Sequence, residues 1–142
     1  MTTTADATTA TDPKIATIHI VFAAFGRGDL TEILEHVTDD VDWAAESTLP
    51  NAPWHGPHHG KEELPAFFGG LAETLETLEF TPLAFTSNET DVMVVVRYVV
   101  RSRSTGRTAT MNLHHWWRFR DGLISRYRGA EDSAATAAIL VP

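Results

Sequence analysis

From Phe80 onward the chain reads as strand after strand, with no room between them for a helix. Phe80–Thr86, Asp91–Ser102, Arg107–Arg120 and Leu123–Ala130 are rich in β-branched and aromatic residues, and the later gaps are short turns, Ser104-Thr105-Gly106 and the hairpin pair Asp121-Gly122. Strands joined by short turns run antiparallel. Such a sheet buries one face only where helices cover it.

The first half supplies those helices. Asp12-Pro13 is a helix start, an N-cap acid followed by proline at the first helical position. Ile15, Ile18, Phe22 and Phe25 follow at helical spacing, and Gly26 and Gly28 end the run. Asp29, with Glu32 three residues on, caps a short second helix carrying Leu30, Ile33, Leu34 and Val37. Val41, Trp43 and Ala45 alternate as a first strand. Leu49 to Gly60, with three prolines and two glycines, reads as a loop. A third helix is expected next, its N-terminus favoured by Glu62 and Glu63 through the helix dipole, with Leu64, Phe67, Phe68, Leu71, Leu75 and Leu78 on one face and Pro65 confined to its first turn. The order expected is helix, helix, strand, helix and then four strands, and a long, bent antiparallel sheet wrapped round the amphipathic first helix leaves a cone with an open mouth. Residues 1–12 read as a disordered tail, 13–135 as one domain and 136–142 as a C-terminal tail, with at most one further helical turn after 133.

The chain has 142 residues, enough for one core and too few for two ordinary domains. A net charge of −8 argues against a nucleic-acid or anionic-membrane partner. The charge is uneven: residues 1–91 hold 16 acids and 3 bases, residues 92–142 hold 3 acids and 8 arginines. Most of those arginines fall at strand spacing, as on a solvated sheet face. No apolar run is long enough to span a bilayer. The absence of cysteine excludes disulfides and thiolate catalysis and fits a reducing compartment. The opening residues have no basic segment followed by an apolar one, so they do not read as a secretory signal, and a cytoplasmic location is expected.

Strand parity selects the candidate site. Met111, Leu113, His115, Trp117 and Phe119 share one face of their strand, and Val92, Val94, Val96, Tyr98 and Val100 share one face of the preceding strand. These apolar faces should meet the helices, leaving His115 as the polar member of an inner face. A histidine there is a general acid or base, or a neutral hydrogen-bonding group. It is alternatively a core histidine bonded to a neighbour such as Tyr98. The opposite face mixes Val95, Val99 and Trp116 with Arg97, Arg101 and Arg118, which suits a homodimer interface near Trp116, Val99 and Arg118. Glu46 would turn inward given a one-residue bulge and pair with His115. Otherwise it faces solvent. His55, His58 and His59 lie in an irregular loop without the helical spacing of a metal protease, so no metal is expected. His55 and Trp54 are expected at the pocket mouth, with His58 and His59 exposed. Trp43, Phe67, Tyr98 and Trp117 are suited to clamp a flat ligand or simply to fill the core. Arg126 and Arg128 are expected to point outward. No phosphate-binding glycine loop, Ser-His-Asp order or dinucleotide fingerprint is present, and no cofactor is expected.

Certain pieces in this order resemble the nuclear-transport-factor-2-like superfamily, and within it the SnoaL-like and ketosteroid-isomerase-like small proteins. They are Ala24-Phe25-Gly26-Arg27-Gly28-Asp29, Asp39-Asp40-Val41-Asp42-Trp43, Trp54-His55-Gly56-Pro57, Gly60 with Phe67-Phe68, and His115-Trp116-Trp117-Arg118-Phe119-Arg120-Asp121-Gly122-Leu123-Ile124, closed by Asp132. The resemblance spans about residues 14–135 and implies an α+β fold, a cone-shaped barrel of a bent, mixed, mostly antiparallel sheet wrapped around three N-terminal helices, and frequent homodimers. The family houses isomerases, cyclases, dehydratases, epoxide hydrolases and non-catalytic modules, so fold alone does not name an activity. Ketosteroid isomerases use a carboxylate base and an oxyanion hole of a tyrosine and a protonated acid. Set in register, those positions fall on Ala45, Val21 and His115, so two of the three polar groups are missing. The expectation is a cofactor-free enzyme working by acid/base chemistry on a small oxygenated hydrophobic molecule, with His115, Glu46 and His55 as catalytic candidates and Trp43, Trp54, Phe67, Tyr98 and Trp117 contacting substrate. The alternative is a ligand-binding or protein-interaction module of the same fold.

Overall fold

The computed structural model describes residues 12–142. The tail expected over residues 1–12 lies, apart from Asp12, outside the described residues. Helix α1 spans Pro13–Arg27 and α2 Leu30–Leu34. Strand β1 (Val37–Ala45) is followed by β2 (Gly56–His59), a single 3-10 turn at Lys61–Glu63 and helix α3 (Leu64–Thr74). Strands β3 (Leu75–Ser87), β4 (Asp91–Ser102), β5 (Thr108–Arg120) and β6 (Leu123–Ala130) follow, and helix α4 (Ser133–Leu140) closes the chain. No helix among the described residues is long and apolar enough to cross a membrane.

The helix ends follow from local chemistry. The Asp12 carboxylate accepts from the Lys14 amide at 2.9 Å, and that of Asp29 accepts from the Glu32 amide at 3.1 Å. Gly28 stops α1 with φ of 69°, a left-handed cap that glycine adopts without a steric cost. Asp121 and Gly122 both have positive φ, the turn that joins right-twisted strands most closely.

The six strands form one mixed sheet in the order β2-β1-β6-β5-β4-β3. Only β1 and β6 run parallel. The sheet is not closed: β2 and β3 do not pair, so the barrel expected from sequence is an open sheet with two edges. Helices α1 and α3 cover one face. Ile15, Ile18, Val21 and Ala24 of α1 and Leu64 and Phe67 of α3 join one core with Val92, Val94, Val96, Tyr98 and Val100 of β4 and Met111, Trp117 and Phe119 of β5.

Four boundaries differ from the sequence reading. The third helix stops at Thr74, and Leu75 and Leu78 belong to β3. Leu75 is paired with Ser102, so the ladder to β4 claims the chain there. Gly69 and Gly70 weaken the helix that would otherwise continue. Leu78 and Leu83 fall where the β3–β4 register shifts, and as bulged residues they are exposed, not part of an apolar helix face. Val37 opens β1 instead of closing the second helix. The loop over 49–60 contains β2, which pairs with β1 through Trp43 and His58. The expected C-terminal tail is α4: Asp132 caps it by accepting from the Ala135 amide at 3.0 Å, and Thr136, Ile139 and Leu140 are buried.

Candidate active site: an aromatic cavity with unpaired donors

Between α1, α3 and the inner face of the sheet lies a partly open cavity of about 90 Å³. Its wall is almost wholly apolar and includes Trp43, Trp54, Phe67, Tyr98 and Trp117, the residues expected to contact a substrate. Tyr127 is the hub. Its ring lies 4.3 Å from Trp43, 4.6 Å from Trp117 and 5.2 Å from His115, measured between ring centres. Gly129 makes this possible, because a Cβ there would overlap the Tyr127 hydroxyl.

His115 sits in this wall, 6% exposed, edge-on to Phe22, Trp117 and Tyr127. Its Nδ1 has no hydrogen-bond partner among the described residues. Burial, with a smaller contribution from His114, pushes the imidazole down to about 3, so the ring is neutral at physiological pH. The indole nitrogens of Trp43 and Trp117 are likewise buried and unpartnered. Burial also pushes the Tyr98 phenol up to about 12 and raises Tyr127 further. Neither phenol ionises near neutrality.

The carboxylate in the wall is Glu131, not Glu46. Glu46 lies just past β1 and is exposed. The β1 register shift falls between Val37 and Asp42, too early to alter the parity at Ala45, so Ala45 lines the cavity and Glu46 points away. Glu131 continues the inward alternation of Tyr127 and Gly129 beyond the end of β6. His55 stands behind it and does not line the cavity. The Leu49 amide donates to its Nδ1 at 3.1 Å, and its Nε2 is 2.6 Å from Glu131 Oε1. A ring nitrogen that accepts carries no proton, so the proton lies on Nε2 and is donated to Glu131. The Thr136 hydroxyl donates to Glu131 Oε2. Both partners hold the carboxylate from outside the cavity.

The other histidines stay apart. His58 is half-buried against Phe67 at 5.5 Å, not exposed as expected, because β2 lays it over α3; His59 is exposed. Among the described residues no three His, Asp or Glu side chains gather as a metal would require. Arg126 and Arg128 lie on the outer face, over the Trp116 ring and on Asp42.

Sequence reasoning missed Tyr127 and Glu131. The signal was there, an alternation of 127, 129 and 131, but the β5–β6 register shift between Arg118 and Phe119 breaks the count from Ile124.

A SnoaL-like domain model matches residues 19–127, and the chain belongs to that family; its fold is that of NTF2-like proteins. An NTF2-like protein of unknown function from Burkholderia pseudomallei superposes with a TM-score of 0.85 at 24% identity, over 92% of this chain and 99% of that one. TerC, co-crystallized with polyporic acid, gives 0.82 at 25% identity over 91% and 98%. A protein from Xanthomonas campestris pv. campestris, provisionally described as a polyketide cyclase, gives 0.75 at 16% identity over 91% and 97%. No curated protein matches the chain.

Proposed function

We propose that the chain is a cofactor-free enzyme that binds a small, flat, mainly apolar molecule bearing oxygen and acts on it by proton transfer. Isomerisation or cyclisation is the first class of reaction, then dehydration, then epoxide hydrolysis. The observation that carries this is an apolar cavity whose lining residues keep buried polar atoms without partners among the described residues, Nδ1 of His115 and Nε1 of Trp43 and Trp117. Buried donors without partners are costly, about 1–3 kcal/mol each. A ligand oxygen that accepts from them recovers that cost, and the surrounding rings take up its flat body. The likeness to TerC, a protein crystallised with polyporic acid, supports an oxygenated ligand of this kind. Steroid isomerisation of the ketosteroid-isomerase type is not supported, since Ala45 and Val21 stand where that chemistry needs a base and a tyrosine.

A binding module without turnover is the second reading. His115 favours it, because a ring that stays neutral down to about pH 3 supports hydrogen bonding more readily than proton shuttling. Homodimerisation through the outer sheet face, near Trp116, Val99 and Arg118, is part of the proposal.

Titration with polyporic acid and with 4-nitrophenol, followed by tryptophan fluorescence and calorimetry, tests the ligand class. Saturable one-site binding, weakened at least 10-fold by His115→Phe, is expected. Binding unchanged in that variant, or no binding of either compound, contradicts the assignment.

A further inference from the structure

We propose that Glu131 is the base of this cavity and that His55 is its positioning residue. This rests on the reading of the cavity as a site of turnover and goes further, by assigning the proton acceptor and the residue that positions it. Glu131 is the only carboxylate in the cavity wall among the described residues. Its side chain is 11% exposed and that of His55 is 3% exposed, so the pair is shielded from water.

The hydrogen bonds leave the carboxylate free to act. One donor meets each oxygen, Nε2–H of His55 on Oε1 and the Thr136 hydroxyl on Oε2. A carboxylate oxygen has two lone pairs, so each keeps one for a substrate proton. Three separate elements fix this arrangement. Glu131 follows β6, Thr136 belongs to α4, and His55 comes from the segment before β2, locked as one tautomer by the Leu49 amide. Residues 55 and 131 are 76 positions apart, and nothing local brings them together. His55 donates to the carboxylate and does not reach the cavity, so its action is through Glu131.

A base so placed acts on a carbon acid bound in the apolar cavity. Glu131 takes the proton from carbon, the C–H electron pair forms a new π bond, and the pair displaced from the neighbouring atom leaves with the group that departs. No oxidant or metal enters the balance.

5-Nitrobenzisoxazole is a suitable probe, flat and apolar, with a C–H whose removal is visible. The base takes the C3 proton, the C–H pair closes the nitrile, the N–O bond breaks, and its pair leaves on the coloured phenolate oxygen. Wild-type protein is expected to turn it over with saturation, Glu131→Gln to lose about 10²-fold or more in kcat with little change in KM, and Glu46→Gln to match wild type. Added formate should restore turnover to Glu131→Ala by supplying the missing carboxylate. His55→Ala should lower kcat about 10-fold at unchanged KM, and His55→Gln, which keeps an N–H donor, should regain part of it. Unfolding midpoints establish that each variant is folded. Glu131→Gln turning over like folded wild type overturns the proposal. So does a wild type that binds the probe, by fluorescence quenching, without turnover, and that result leaves the binding reading intact. Failure to bind it or any flat oxygenated compound removes both.

Discussion

Trp116 and Trp117 are neighbours on β5 and face opposite sides of the sheet, and their indole nitrogens meet opposite fates. On the outer face Trp116 Nε1 donates to Asp91 Oδ2 at 2.7 Å. The same carboxylate accepts from Nε and Nη2 of Arg118 at 3.0 and 3.2 Å, and Arg126 lies over the indole ring at 4.9 Å. On the inner face Trp117 Nε1 is buried and has no partner among the described residues, and Trp43 Nε1 is in the same condition. Both tryptophans contribute apolar area. The outer one is also satisfied by the fold itself, whereas the inner pair is not. On the reading proposed above, that difference marks the inner side as the one that binds a ligand.

The largest effect expected from breaking this contrast is at Gly129. A methyl group in Gly129→Ala displaces the Tyr127 ring from its place among Trp43, Trp117 and His115. Overpacking of this kind costs about 1–3 kcal/mol. Urea unfolding should show that loss, and titration with 4-nitrophenol should show binding abolished. On the outer face, Asp91→Ala leaves Trp116 and Arg118 without their acceptor. Destabilisation of about 1–3 kcal/mol is expected with cavity binding unchanged, which the same two measurements check.

His115→Phe should do the reverse, weakening binding at little cost in stability near pH 7. It should also change the acid response. The folded protein holds His115 at about 3 against an ordinary 6.5, so below pH 6.5 the unfolded chain binds a proton that the folded one refuses. Wild-type stability therefore falls as pH drops from about 6.5 toward 3. His115→Phe lacks this component, and urea midpoints at pH 7.5 and 5 resolve it. Asp91, held down to about 2 chiefly by Arg118, acts in the same direction but only below its ordinary 3.8. The smallest effect concerns the outer face as an interface. Sedimentation should give a dimer at micromolar concentration, and Trp116→Ala should shift it toward monomer. A wild-type monomer removes the dimer proposal and leaves the cavity argument standing.

The inner–outer division itself was legible in the sequence, because period-two alternation in β4 and β5 assigns every side chain to a face once one face is known. His115, Trp117 and Tyr98 were found that way, and the helix caps at Asp12 and Asp29 are local signals. What failed was whatever depended on register or on distant partners. Leu78 matched a helical face, but it lies in β3 as an exposed bulge in the ladder to β4. Glu46 was one residue from a vacant position, and only the location of the β1 shift shows that it points out. Glu131 and His55 meet across 76 residues, a distance over which no spacing rule operates.

The central claim is that the inner indole donors are reserved for a ligand and the outer one is not. The four tryptophans give four indole N–H resonances in a proton–nitrogen correlation spectrum, assignable by single Trp→Phe variants. On saturation with 4-nitrophenol, the Trp43 and Trp117 resonances should move downfield and exchange more slowly with solvent, while Trp116 stays in place. A spectrum in which the probe binds and Trp116 moves while Trp43 and Trp117 remain still would contradict the account.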